Sequence, residues 1–250
     1  MEANRTREDL CSDQNGSPLT SDSKSQQHSR QATSEIFTVD RRRAICKLCH
    51  VNHVRIMMMR IRMAKLVGAK VLAGALSGQK AYAKLLELTR QEPWKPDPVF
   101  LDFAGVNVAT ASFLRETVLA YRDTVRRRRS NFYPVIANAN ELVEEELNVL
   151  VTSGGDVLML CTLDEESQPY EARLLGKLDP KSRLTFDLVQ QRKETDAAEL
   201  MRVHGKNERV QQTAWNNRLS ALASLGVVVE LSEGRAKRYR PLLAGVTHGN

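Results

Sequence analysis

Three short apolar runs, each separated from the next by a segment with helical spacing, are the feature that most limits how this chain can fold. The runs are Val99–Phe103, Tyr133–Ala137 and Val157–Cys161. Apolar runs of this length are typical of parallel strands that are buried on both faces. Helical segments of about 10–15 residues between such strands are typical of right-handed βαβ units. The pattern predicts an α/β domain with a mostly parallel sheet.

The segments around these runs complete the predicted domain. Arg60–Val67 alternates like an edge strand, and Gln79–Arg90 and Ser112–Arg126 have the apolar spacing of helices. Asn138 or Asn140 can cap a further helix that runs to about Leu150. The arginine run 126–129 follows a helix, where cations are favourable, and is expected to be solvated.

After Gly176 the pattern changes to helices followed by a hairpin. Predicted helices cover Leu178–Gln191, Asp196–His204 and Glu208–Leu225, with a turn at Gly205–Asn207 between the last two. Residues 227–240 read as a β-hairpin. Three helices closed by a basic hairpin is the order of an α+β winged-helix domain.

These patterns divide the chain into five parts. We expect a disordered or dispensable extension over 1–56, the α/β domain over 57–165, a linker over 166–176, a winged-helix domain over 177–243 and a tail over 244–250. Met57, Met58 and Met59, followed by Met63, lie at the start of the first predicted strand. The folded protein is therefore expected to begin there, and folding and activity are expected not to need residues 1–56.

Composition narrows the class of protein. The chain has 250 residues, a net charge of +7 and four cysteines. No apolar run is long enough to span a bilayer and no signal core is visible, so we expect a cytoplasmic protein with reduced thiols and no membrane contact. Residues 176–250 carry 13 basic and 8 acidic side chains. A basic small domain suits a phosphate backbone as partner.

The third C-terminal helix carries the side chains expected to recognise DNA. Asn and Gln pair with adenine, and a recognition helix presents such residues from its first half. The expected base-reading residues are Gln211, Gln212, Thr213, Asn216 and Asn217. The expected phosphate-binding residues are Arg209, Arg218, Arg235, Lys237, Arg238 and Arg240. A solvent-facing polar helix, or a module for protein contacts, is the alternative.

The segment Thr195–Pro241 resembles bacterial winged helix-turn-helix regulators. The likeness is carried by the recognition-helix ending Asn217-Arg-Leu-Ser-Ala-Leu-Ala-Ser-Leu-Gly226 and by Arg238-Tyr-Arg-Pro241. The resemblance implies DNA binding. A homodimer is compatible with it, because such regulators often read paired half-sites.

Residues 57–165 resemble bacterial STAS-like domains of unknown function, distant relatives of anti-sigma-factor antagonists. Val99-Phe-Leu-Asp-Phe-Ala-Gly-Val106 and Thr110-Ala-Ser-Phe-Leu114 carry the likeness. The resemblance implies a protein partner, such as a GHKL-type ATPase or kinase, at a surface with Asp102, Thr110 and Ser112. The antagonists are phosphorylated at the position of Ser112. This chain departs from them, with Thr110 in place of an acidic residue and Phe113 in place of glycine.

Elementary chemistry gives Ser112 a simpler role. Its hydroxyl can cap the helix that begins there, which is the ordinary use of serine at such a position. Phosphate at a helix N-terminus would instead place about −2 charge on the surface that meets a partner. Asp102 can order the following loop through backbone N–H groups.

No motif indicates an enzyme, a metal or another cofactor. Cys46-Lys-Leu-Cys49-His50 spells a haem attachment pattern, but attachment needs an exported chain. With His53 the ligands are too closely spaced for a usual zinc site.

We therefore expect a DNA-binding transcriptional regulator whose STAS-like domain binds a partner or senses a signal. The alternative is an adaptor in a bacterial signalling or defence complex that does not bind DNA.

Overall fold

The structure, a computed structural model, describes residues 58–208, 210–234 and 236–248. The expected extension over 1–56 lies outside them. A six-stranded sheet in the order β1-β3-β5-β6-β7-β10 forms its centre. The first four strands in this order are parallel, β7 is antiparallel to β6, and β10 is parallel to β7. The expected α/β class with a mostly parallel sheet is confirmed.

The strands are short. Those of the central sheet are β1 (Met59–Arg62), β3 (Asp97–Asp102), β5 (Phe132–Ala137), β6 (Val157–Leu163), β7 (Pro169–Gly176) and β10 (Thr247–His248). Two further pairs are β2 (Val71–Leu72) with β4 (Val108–Ala109), and the hairpin β8 (Val228–Glu233) with β9 (Ala236–Pro241).

Helices alternate with most of these strands. They are α1 (Met63–Val67), α2 (Ala75–Leu88), α3 (Ala111–Leu114), α4 (Ala120–Arg127), α5 (Glu141–Gly154), α6 (Pro180–Arg192), α7 (Ala197–Glu208) and α8 (Gln212–Leu225). A π-helical turn over Arg115–Leu119 joins α3 to α4. None of the helices in the described part of the chain is long and apolar enough to cross a membrane.

The central strands β3, β5 and β6 are buried on both faces of the sheet, which explains why they are mostly apolar. Successive side chains of a strand point to opposite faces. In β3, Val99 and Leu101 pack into one core with α2, α4 and α5, whereas Phe100 packs into a second core on the other face.

The second core joins the sheet to the C-terminal helices. Phe100 and Val135 of the sheet share a buried cluster with Trp215, Leu219 and Leu222 of α8. Trp215 is completely buried. The C-terminal helices therefore cover one face of the sheet and share its core. The sequence pattern predicted that they belong to a separate winged-helix domain.

Several expected boundaries differ from the structure. Most of the segment 166–176, expected to be a linker, is strand β7, which pairs with β6. The expected tail over 244–250 contains β10, which pairs with β7. Arg60–Val67 is a strand only to Arg62 and continues as α1, which ends at Gly68 in the left-handed conformation. Alternation over a few residues does not distinguish a strand from the start of a helix, because Ile61 in β1 and Met63 in α1 are both buried.

Candidate nucleic-acid interface

Helix α8 has one apolar and one polar face. Trp215, Leu219 and Leu222 are buried, and the expected base-reading side chains on the helix are exposed. These are Gln212, Thr213, Asn216 and Asn217. Gln211 is also exposed but holds the N-cap position, in extended conformation and without a capping bond from its side chain.

The turn before α8 lies later in the chain than expected. Helix α7 continues through Gly205, Lys206 and Asn207, which the sequence suggested as a turn, and ends at Glu208. Gly205 is a weak helix breaker by itself, since one glycine costs only about 1 kcal/mol in a helix. Val210 N–H then donates to Gly205 O over 3.1 Å, which turns the chain toward α8. Arg209 lies outside the described residues.

A groove of about 550 Å³ separates the polar face of α8 from the hairpin and from the start of α7. Its lining includes Gln212, Asn216 and Asn217 from α8 and Lys237 from β9. Asp196, whose carboxylate accepts the Glu199 N–H at the start of α7, contributes one negative charge. The groove thus combines amide groups that can read bases with a lysine and an acidic edge.

The expected phosphate-binding residues are in different environments. Lys237 pairs with Glu230 at 2.8 Å and Arg238 pairs with Glu194 at 2.9 Å. The Glu194 side chain is partly exposed, whereas that of Glu230 is mostly buried. Arg240 is exposed and forms no ion pair with the described residues. Arg235 lies outside these residues.

Arg218 is not presented with the other cations. Its guanidinium lies over the Trp215 ring, 4.9 Å from the centroid, and its Nη1 is buried without an acceptor. The two residues are three positions apart on α8, so they lie on the same side of the helix. The prediction that Arg218 contacts phosphate overlooked this stacking.

The hairpin is attached to the rest of the fold by Tyr239. Its ring is buried, its hydroxyl donates to Glu230 over 3.3 Å, and its backbone bonds to Thr195 in both directions. Burial and the charge of Glu230 raise the pKa of Tyr239, so it remains a neutral donor. The base of the hairpin is therefore held against the start of α7.

Asp102 lies at the carboxyl end of β3 and is completely buried. Its Oδ2 accepts from Arg60 Nε at 2.8 Å, and its Oδ1 accepts from Ala104 N–H at 2.9 Å and from Asn138 Nδ2 at 2.8 Å. Asn138 Oδ1 accepts in turn from Leu163 N–H at 2.9 Å. This arrangement ties four strand ends together. The sequence pattern did not predict Arg60 as a partner of Asp102, and it indicated Asn138 only as a helix cap. The position of Asn138 directly after the buried strand β5 is a usable signal for such a role.

Thr110, rather than Ser112, caps the helix at the expected partner surface. Thr110 Oγ1 accepts from Phe113 N–H at 3.4 Å and from Gly74 N–H at 3.3 Å, and lies 3.1 Å from Ser112 Oγ. Ser112 is the second residue of α3 and half-buried. The expected capping role of Ser112 is therefore wrong by two positions, because the helix begins at Ala111.

Comparison with known proteins assigns neither a family nor a function to this chain. No family model and no curated protein matches this chain. Within the described residues, no three His, Cys, Asp or Glu side chains are grouped so that they could hold a metal ion. Cys46, Cys49, His50 and His53 lie outside that part of the chain. The case for a function rests on the geometry of the chain itself.

Proposed function

We propose that this protein is a sequence-specific DNA-binding regulator. In this proposal α6–α8 and the β8–β9 hairpin act as a winged helix, and the remaining α/β part is a STAS-like domain that binds a partner or a signal. The observation that carries the proposal is the groove in which Gln212, Asn216 and Asn217 lie exposed beside Lys237. Amides on a helix next to a basic hairpin are the chemistry that base edges and phosphates require.

The charge of this part of the chain supports the same proposal. Residues 176–250 hold most of the excess of basic side chains. Arg238 can exchange its partner Glu194, whose side chain is 40% exposed, for a phosphate at little cost, because such surface pairs contribute at most about 1 kcal/mol. Arg240 is available without any exchange.

Selection of binding sites from random duplex DNA by the full chain, at two salt concentrations, tests the proposal. A recovered motif whose affinity falls steeply with salt supports it, since phosphate contacts release counterions. Gln212→Ala and Asn216→Ala should relax the base preference, whereas Arg240→Ala should weaken binding equally on all sequences. Arg90→Ala, an exposed cation at the end of α2, is the control. Absence of enrichment at both salts would overturn the proposal.

A second candidate function is that of an adaptor that binds protein only, with a GHKL-type ATPase as one partner of suitable class. The observation in its favour is a set of exposed apolar side chains near Thr110: Val71 and Val108, which face each other across β2 and β4, and Leu76 in the first turn of α2. The adaptor function predicts that DNA selection fails, while Leu76→Ser or Val71→Ser abolishes binding to the ATPase used as probe.

A further inference from the structure

A cavity of about 680 Å³ lies at the amino ends of β3 and β5, beneath the second half of α8 and strand β8. This volume is in the range of small-molecule sites. Six side chains define its character: Trp94, Lys95, Arg126, Arg129, Tyr133 and Arg240. None of them belongs to the exposed polar face of α8. Arg240 is also an expected phosphate-binding residue of the hairpin, and Ser220 lines both this cavity and the groove, so the two sites are adjacent.

The lining is cationic. Lys95, Arg126, Arg129 and Arg240 contribute four positive charges, and Glu230 is the single carboxylate among the lining residues. Glu230 is already engaged, since it pairs with Lys237 and accepts from Tyr239. The surplus of positive charge favours an anionic ligand.

Arg126 is the residue that most strongly indicates a ligand. It is only 9% exposed, its Nη2 donates to Ser130 O, and its guanidinium lies over the Tyr133 ring at 3.8 Å from the centroid. Its Nε and Nη1 have no acceptor among the residues that the structure describes. Buried donors without a partner are unfavourable, and burial lowers the pKa of this guanidinium. Phosphate oxygens are strong acceptors for such a group.

Trp94 adds a second requirement. Its indole is fully exposed, at the rim of the cavity, in the segment between Pro93 and Pro96. An exposed tryptophan that packs against nothing provides a flat apolar surface on which a planar ring can stack. A ligand that matches this lining has both an anionic group and a ring.

We propose that this cavity binds a small phosphorylated molecule with a planar ring, of the mononucleotide class. The phosphate lies against Arg126 and Arg129, and the ring stacks on Trp94. Because Ser220, Ala223 and Ser224 of α8 also line the cavity, the ligand contacts the helix whose other face is proposed to read DNA. Binding of a nucleotide at this cavity does not depend on DNA recognition.

Titration of the full chain with the four nucleoside 5′-monophosphates, inorganic phosphate and adenosine tests the proposal. Calorimetry measures affinity, and tryptophan emission reports contact with Trp94, because Trp215, the other tryptophan, is buried. We expect at least one monophosphate to bind more tightly than inorganic phosphate, and adenosine to bind more weakly than the monophosphates.

Variants separate this cavity from other sites. Arg129→Gln should weaken nucleotide binding about tenfold or more, as expected for a lost bond to a charged group. Trp94→Ala should weaken nucleotide binding but not phosphate binding. Both positions are exposed, so folding should survive. Arg128→Gln, the exposed neighbour outside the cavity, should have no effect.

Three outcomes would overturn the proposal. The first is the absence of binding by every phosphate-bearing probe. The second is binding that Arg129→Gln and Trp94→Ala leave unchanged. The third is binding that Asn216→Ala weakens as much as Arg129→Gln does, which would place the nucleotide on the polar face of α8.

Discussion

Thr117 donates a hydrogen bond of 2.9 Å from its hydroxyl to the carbonyl oxygen of Gly78. The bond joins the π-helical turn to α2 at a point where the two backbones are unusually close. A Cβ atom at position 78 would lie 2.8 Å from Phe113 O and 2.9 Å from the Cβ of Glu116. Glycine is therefore required here by its size, although its φ angle is ordinary for a helix.

Gly78→Ala should destabilise the protein by about 1–3 kcal/mol, because α2 must move away from the π-helical turn. Helix propensity alone predicts the opposite sign, a gain of about 1 kcal/mol. Gly154→Ala in the last turn of α5 is the matched control, since its Cβ would meet only Asp156 Cβ at 3.8 Å. Urea denaturation of both variants measures the difference. Equal stabilisation by the two substitutions would contradict this close approach.

Asp97 should make stability depend on pH. Its Oδ1 is buried without a partner, and burial raises the pKa of this carboxyl to about 6. The folded protein thus holds this proton more tightly than the unfolded chain, so the contribution of Asp97 to stability falls as pH rises from about 4 to 6. Asp97→Asn should stabilise the protein at pH 8 by about 1–2 kcal/mol, since the carboxyl is only partly shielded from water.

Thermal or urea unfolding of Asp97→Asn and of the parent protein between pH 4 and pH 8 checks this sign. The two stabilities should converge toward pH 4, where the carboxyl is protonated in the folded protein and about half protonated in the unfolded chain. A difference that stays constant over this range would show that ionisation of Asp97 is not its cause.

Arg60 neutralises a carboxylate that has no access to water. Arg60→Met should cost about 3–5 kcal/mol, because it leaves the charge of Asp102 buried and unpaired. Adding Asp102→Asn should recover much of this loss, since an amide oxygen can still accept from Ala104 and Asn138. A double-mutant cycle in urea measures the coupling. Additive losses would mean that the two side chains do not interact.

The two hydroxyls at the start of α3 should differ in their effect on stability. Thr110→Ala removes the cap of α3 and an acceptor for Gly74 N–H, and should cost about 1 kcal/mol. Ser112→Ala should change the free energy of unfolding by less than about 0.5 kcal/mol. Chemical denaturation distinguishes the two, and the reverse order would restore Ser112 as the cap.

The parts of the fold that depend on local chemistry were predictable from the sequence. The apolar run predicted as a strand over Val99–Phe103 lies in β3 up to Asp102 and is buried on both faces, and Asn140 caps α5 by accepting from Val143 N–H. Both follow from neighbouring residues alone. The end of α8 at Leu225 was predicted as well. The end of α7 and the start of α8 were not predictable at this level, because Gly205 is compatible with either a helix or a turn.

The burial of Arg126 shows why the cavity could not be predicted. A run of four arginines after a helix usually lies in solvent, and Arg127–Arg129 do. Arg126 differs because Tyr133 of β5 and the Gly226 end of α8 close over it. These residues are 7 and 100 positions away in the chain. Long-range packing, which no local pattern records, decides its environment.

The shared apolar layer between the sheet and α8 limits how this protein could have diversified. Phe100, Val135 and Trp215 belong to the same buried cluster. A recombination event that replaced residues 177–243 would expose one face of the sheet to water. The two halves are therefore not interchangeable modules, and a change in the apolar surface of one requires a matching change in the other.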